Sequence, residues 1–259
     1  MPMDFFMNEI LENEAVRARL DFASEEAMEA RETAKAAAET GERPRLAPGM
    51  KPIYVLAYLA DFALQKNAAR GISREITVAT LKDINIWLDN YEKTFGEIGL
   101  KEFAWLFNHY TGRLFRLGRL QFEIGKQEDS YVVNTHIPQG EPLYYDACLD
   151  SFRQAKEFFA AHFPETPVNK CTCHSWLLCP RLADVLPEES NIVRFMRMWE
   201  QVPCKSDDSA QAMERTFGFG FKKEDLPNAP ETTGLQKRMK AYLLAGGDLS
   251  ACAGYRMME

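Results

Sequence analysis

From the N-terminus, helix-forming residues dominate the first hundred positions. Residues 4–39 are rich in Glu, Ala, Arg and Met, which lose little conformational freedom on entering a helix. Glu26 to Glu39 is almost entirely Ala and charge, which predicts a solvated helix with a thin apolar stripe, stopped at Thr40-Gly41. Pro44, Pro48, Gly49 and Pro52 mark a loop. A second helix is predicted over Ile53–Ala69, ended by Gly71. Ser73 caps a third, in which Ile76, Ala79, Leu81, Ile84, Trp87, Leu88 and Tyr91 recur at helical spacing. A fourth covers about Glu97 to Tyr110 and ends near Gly112.

Beyond Gly112 the period shortens to two. Leu114 to Ile124 reads as one strand, with Leu120, Phe122 and Ile124 on one face and Arg119, Gln121 and Glu123 on the other. The β-branched run Tyr131 to Ile137 is closed by Pro138-Gln139-Gly140, and Lys126 to Asp129 makes the hairpin loop between them. Cys148, Phe152, Ala155, Phe159 and Phe163 stripe a helix over Asp146–His162. Cys171 to Leu178 reads as a buried strand. Helices are predicted over Pro180–Leu186, Ser190–Met198, Asp207–Phe217 and Thr233–Leu244, with a short strand near Trp199–Pro203. The chain thus reads as α+β: a helical N-terminal domain over residues 1–112 and a sheet-containing domain over residues 113–259.

Composition is that of an ordinary globular protein, with 46% hydrophobic and 27% charged residues. A net charge of −7 argues against nucleic-acid binding, which needs a basic surface. No apolar run approaches the roughly 20 residues that span a bilayer, so no membrane partner is expected. Met1-Pro2-Met3-Asp4 lacks the basic and apolar regions of a secretory signal. The six cysteines suggest reduced thiols in a cytoplasmic protein rather than a disulfide framework.

Three of those cysteines and a histidine crowd into Cys171-Thr-Cys173-His174-Ser175-Trp176-Leu-Leu-Cys179. Strand alternation sends Cys171, Cys173 and Ser175 one way and Thr172, His174 and Trp176 the other, so Cys173 and His174 are not hydrogen-bond partners. All six thiols are expected to be unbridged and no metal to be bound, because zinc needs ligands converging on one point. A Cys173 nucleophile served by His136 is a further reading, although nothing in the sequence lowers that thiol's pKa. On its own, His174 reads as a hydrogen-bonded core residue rather than a catalyst. The polar face of the hairpin is the better clue: Arg119, Gln121 and Glu123 share one parity, and Asn134 and His136 share one on the partner strand. Its bland counterpart is a solvated sheet face.

Separated blocks add a family resemblance. Arg116-Leu-Gly-Arg-Leu-Gln-Phe-Glu123, His136-Ile-Pro138, Cys173-His-Ser-Trp-Leu-Leu178 and Ser190-Asn-Ile-Val-Arg-Phe195 resemble a bacterial family of acyltransferase domain-containing proteins. Thr233-Gly-Leu-Gln236, Leu244-Ala-Gly-Gly247, Ala69-Arg-Gly-Ile72 and Thr80-Leu-Lys-Asp83 are similar to it as well. The resemblance implies a helical N-terminal unit packed on a GNAT-like domain with a mixed, mainly antiparallel sheet. It also implies acyl-CoA as cosubstrate and a small amine or hydroxyl as acceptor. Glu123, His136 and His174 are then the candidate bases, with Arg119, Asn134 and Ser175 as donors near the thioester oxygen. Arg119, Ser175, Asn191 and Arg194 are the candidates for holding the acyl-CoA, Arg194 and Arg197 being placed to clamp phosphate or to pair with nearby acids. GNAT enzymes hold pyrophosphate on the amides of Gln/Arg-x-x-Gly-x-Gly/Ala between a strand and a helix. In the literal match, Arg215-Thr-Phe-Gly-Phe-Gly220, the glycines follow a predicted helix and precede a loop, so it reads as chance. A GNAT-like module without catalysis, binding a small ligand or a protein, is the rival. Oligomeric state is left open.

Overall fold

The computed structural model describes residues 3–205 and 207–258; the Met1-Pro2 start of the chain lies outside the described residues. Two compact units divide between Leu117 and Gly118. In the first, a π-helical turn at Phe6–Ile10 leads to α1 (Glu14–Arg17), α2 (Glu25–Thr40), α3 (Pro52–Ala69), α4 (Arg74–Leu81), α5 (Asp83–Phe95) and α6 (Phe103–Tyr110), then β1 (Leu114–Leu117). Among the described residues no strand precedes Leu114.

Helix starts follow the capping chemistry. The side chains of Asn13, Ser24 and Ser73 accept from the backbone N–H groups of Val16, Ala27 and Ile76. Three expectations are corrected. The α2 stripe is not solvated: Ala27, Ala30, Ala34 and Ala37 are buried, and such small side chains let α2 lie close on α3. The third helix breaks at Lys82, and the second piece starts by turning Asp83 inward, where it accepts from the indole nitrogens of Trp87 (2.9 Å) and Trp105 (3.1 Å). The fourth begins only at Phe103, because Gly96 ends α5 at φ 70° and the Tyr91 ring lies over Gly99, 2.3 Å from where a Cβ would stand.

The second unit contains β2 (Leu120–Gln127), β3 (Ser130–His136), α7 (Tyr145–His162), β4 (Val168–Ser175), α8 (Leu182–Val185), α9 (Asn191–Met196), β5 (Glu200–Gln201), α10 (Ala210–Phe217), α11 (Gly234–Leu244) and β6 (Cys252–Met257). Its strands run in the order β2-β3-β4-β6-β5. The β3–β4 pair is parallel and the other pairs are antiparallel, so the sheet is mixed. Parallel β3 and β4 need a crossover, which α7 provides. Its buried stripe, Cys148, Phe152, Ala155 and Phe159, covers the apolar face of the sheet, with Phe152 edge-on to Phe122 at 5.8 Å.

The strand expected over 114–124 is interrupted at Gly118, which takes φ 66°. A Cβ there would come within 2.9 Å of Ser151 Oγ, and that hydroxyl accepts from the backbone N–H of Arg119. The turn is thus pinned by α7, and only β2 pairs with β3. β6 was not legible in the sequence. The expectation of six free thiols is overturned: Cys204 and Cys252 form a disulfide, closing a loop of 48 residues between the end of β5 and the start of β6. Cys148, Cys171, Cys173 and Cys179 are free and buried. Among the described residues no helix is long and apolar enough to cross a membrane.

Candidate active site

The β2–β3 register sets Gln121 opposite His136 and Glu123 opposite Asn134, so these side chains share one face. β4 adds Thr172 and His174, and β6 adds Tyr255, paired with Thr172. Glu123 Oε2 lies 3.0 Å from His136 Nε2. Of the two ring nitrogens of His136 it is Nε2 that faces the carboxylate, so Glu123 orients the imidazole. Thr172 Oγ1 donates to Asn134 Oδ1 at 2.7 Å. The Asn134 amide lies over Gly125, its nitrogen 2.6 Å from where a Cβ would be.

β3 and β4 stay in register only as far as Asn134 and Thr172. Continuing that register would set His136 level with His174, but there the strands have parted. A cleft of about 290 Å³ opens at this point, lined by Asn134, His136, Thr172, His174 and Tyr255 among others. Glu123 stands behind His136 rather than in the lining. His174 is exposed in the cleft and is not a core residue. Cys173 backs the cleft from the buried side, where burial pushes its thiol up to about 12, far from a thiolate at neutral pH.

Other candidates sit elsewhere. Arg119 is buried off the polar face, because the Gly118 turn breaks the strand parity. Its guanidinium donates to the carbonyls of Pro138 (3.0 Å) and Glu141 (2.8 Å), bracing the loop between β3 and α7. Ser175 is buried on the opposite face, its hydroxyl accepting from Leu177 N–H. Asn191 opens α9 behind its cap, Ser190. Arg194 stacks on Tyr145, the first residue of α7, with 4.7 Å from guanidinium to ring centre, whereas Arg197 pairs with Glu188 at 2.6 Å.

The literal phosphate-loop match at Arg215–Gly220 begins inside α10, and only its glycines follow the helix, as expected. The strand–loop–helix arrangement lies at β3, residues 137–144 and α7. α7 starts without a side-chain cap, so its first N–H groups have no side-chain acceptor of that kind. Pro138-Gln139-Gly140, just before the striped helix, was the available signal.

A model of the N-acyltransferase N-terminal domain matches residues 6–112, and one of the GNAT-like C-terminal domain matches residues 114–256. The chain belongs to the family that carries this GNAT-like C-terminal domain. Among solved structures, an acyltransferase in complex with decanoyl-CoA is similar at 27% identity and TM-score 0.81, over 97% of this chain and 85% of that one. An acyltransferase in complex with decanoyl-CoA and teicoplanin shares the fold at 24% identity and TM-score 0.84, over 98% of this chain and 86% of that one. A comparison with curated protein sequences finds no match.

Proposed function

We propose that the protein is a CoA-dependent acyltransferase that passes an acyl group from acyl-CoA to an amine or hydroxyl of a small-molecule acceptor. The parting of β3 and β4 beside the Glu123–His136 pair carries this reading: it sets a carboxylate-oriented imidazole against a cleft between two strand ends. In this reading His136, held by Glu123, takes the proton from the attacking amine or hydroxyl, and His174 lines the same cleft. Backbone N–H groups at the parted strand ends serve as donors to the thioester oxygen. The uncapped N-terminus of α7, with Arg194 over Tyr145, suits the CoA phosphates. Arg119 then acts by bracing the loop rather than by touching the ligand. The matched acyltransferases, crystallised with decanoyl-CoA, support acyl-CoA as cosubstrate, and that cosubstrate supports a cytoplasmic setting. The same reading divides the chain into a helical domain over residues 1–112 and a catalytic domain over residues 113–259.

One observation favours the rival, a GNAT-like module without catalysis. The 137–144 loop contains a single glycine and two prolines, so it offers fewer amides to phosphate than Gln/Arg-x-x-Gly-x-Gly/Ala. Calorimetric titration with decanoyl-CoA, followed by thiol release on adding an amine acceptor, separates the readings. Binding with turnover supports the enzyme and binding without turnover supports the module; no binding overturns the acyltransferase.

A further inference from the structure

The cleft differs in charge from the molecule around it. The protein carries a net charge of −7, yet among the described residues the lining of the cleft contains no carboxylate and one full cation, Lys170. Two carboxylates that touch lining residues are engaged: Glu123 by His136, and Glu200 by the Tyr255 hydroxyl. Among the described residues Lys170 has neutral partners, with its ammonium 2.9 Å from Gln127 Oε1 and 5.9 Å from the Tyr255 ring centre. Since Gln127 accepts through oxygen, its amide N–H₂ remains as a second donor on the same ledge. Lys170 and His174 project from one face of β4, four residues apart. At about 3.3 Å per residue they are on the order of 13 Å apart along the strand.

Resting on the acyltransferase reading, we propose that the acceptor carries a carboxylate, held by Lys170 and Gln127 on the order of 10–13 Å from the amine or hydroxyl that His136 deprotonates. An ammonium assisted by a neutral amide matches a monoanion, whereas a phosphate is more commonly met by arginine or by several backbone N–H groups. The spacing selects an extended acceptor, because a simple amino acid would leave Lys170 out of reach of its carboxylate. Lys170 is thus assigned to acceptor specificity, with no part in proton transfer.

Tri-alanine, extended over about 10 Å, and its C-terminal amide are suitable probes, followed through the imidazole NMR signals of His136 and His174 in the full chain without CoA. The free acid should bind at least tenfold more tightly than the amide. Lys170→Met should abolish that difference, and Lys170→Arg should keep it. Acid and amide titrating alike, or neither binding, would overturn the proposal. So would a Lys170→Met variant that binds decanoyl-CoA tenfold more weakly, because Lys170 would then serve the nucleotide. Failure of the wild-type chain to bind decanoyl-CoA would strike the acyltransferase reading instead, and the acid–amide difference would still judge the anion site.

Discussion

His136 Nε2 and Glu123 Oε2 meet at 3.0 Å although their backbones are not register partners: Glu123 stands opposite Asn134, and His136 opposite Gln121. The contact is diagonal across the antiparallel pair, a geometry open to long side chains. It turns the imidazole toward the parted ends of β3 and β4.

That orientation makes the pair separable from ligand binding. His136→Asn should lower acyl transfer by roughly 10²-fold or more, the ordinary contribution of a general base. Glu123→Gln should lower it less, since the imidazole remains. Decanoyl-CoA affinity should change little in either variant, because a base acts mainly in the transition state. Parallel kinetics and calorimetry check this, and equal losses in both measurements would contradict the assignment.

Cys171 and Cys173 should be inert. Burial pushes each thiol up to about 12, so almost no thiolate exists at pH 8. Iodoacetamide should leave both unmodified in the native protein, as read by mass spectrometry, and Cys173→Ala should retain acyl transfer. Rapid alkylation of Cys173 would revive the cysteine-nucleophile reading.

The disulfide should be a measurable part of stability. A chain-entropy estimate for the 48-residue loop between Cys204 and Cys252 gives roughly 4 kcal/mol. Urea unfolding with and without reductant should therefore show a midpoint shift that Cys204→Ser reproduces. Unchanged midpoints would mean that the thiols are reduced in solution.

Asp61 on α3 supplies a pH dependence of definite sign. Burial pushes its carboxyl up to about 6, with a smaller push from Asp4. Between the unfolded value near 3.8 and about 6 the folded chain holds a proton that the unfolded chain has lost, so stability falls as pH rises through that window. Asp61→Asn should flatten this slope and stabilise the protein at pH 7 by less than about 1 kcal/mol, since water screens a partly exposed group. Thermal melts at pH 4.5 and 7 should show the slope disappear.

Asp83 should resist substitution. Its buried carboxylate accepts from two half-buried indoles and lies 3.4 Å from buried His109 Nε2. Asp83→Ala would remove that shared buried acceptor and should destabilise the protein by about 1–3 kcal/mol, whereas Asp83→Asn, which keeps an acceptor oxygen, should cost less. Denaturant titration measures both.

The local rules were strong where one segment decides its own structure. Ser73 announced a helix start, Gly41 announced a stop, and the α7 stripe gave the helix that covers the sheet. The Gln121, Glu123, Asn134 and His136 face was legible because alternation fixes parity within each strand, and the register then brought the two parities together. β6 was not legible. Its Ala253-Gly254 centre shows no alternation, and Gly254 is required by neighbours far off in the chain: a Cβ there would stand 3.0 Å from Leu178 Cδ1 and 3.1 Å from Trp199 Cβ.

By itself the sequence determined the helical first part, the hairpin and its polar face, and the resemblance to the family. Only the tertiary structure decided which of those polar residues share a site. Ser151, on α7, holds the Gly118 turn that takes Arg119 off the face. Ser175 turns to the buried side, and the parting of β3 from β4 exposes His174 beside His136. Cys204 and Cys252 meet only because β5 and β6 are neighbours. Each outcome depends on a contact between segments distant in the chain, and neither periodicity nor residue type encodes which distant segment will arrive.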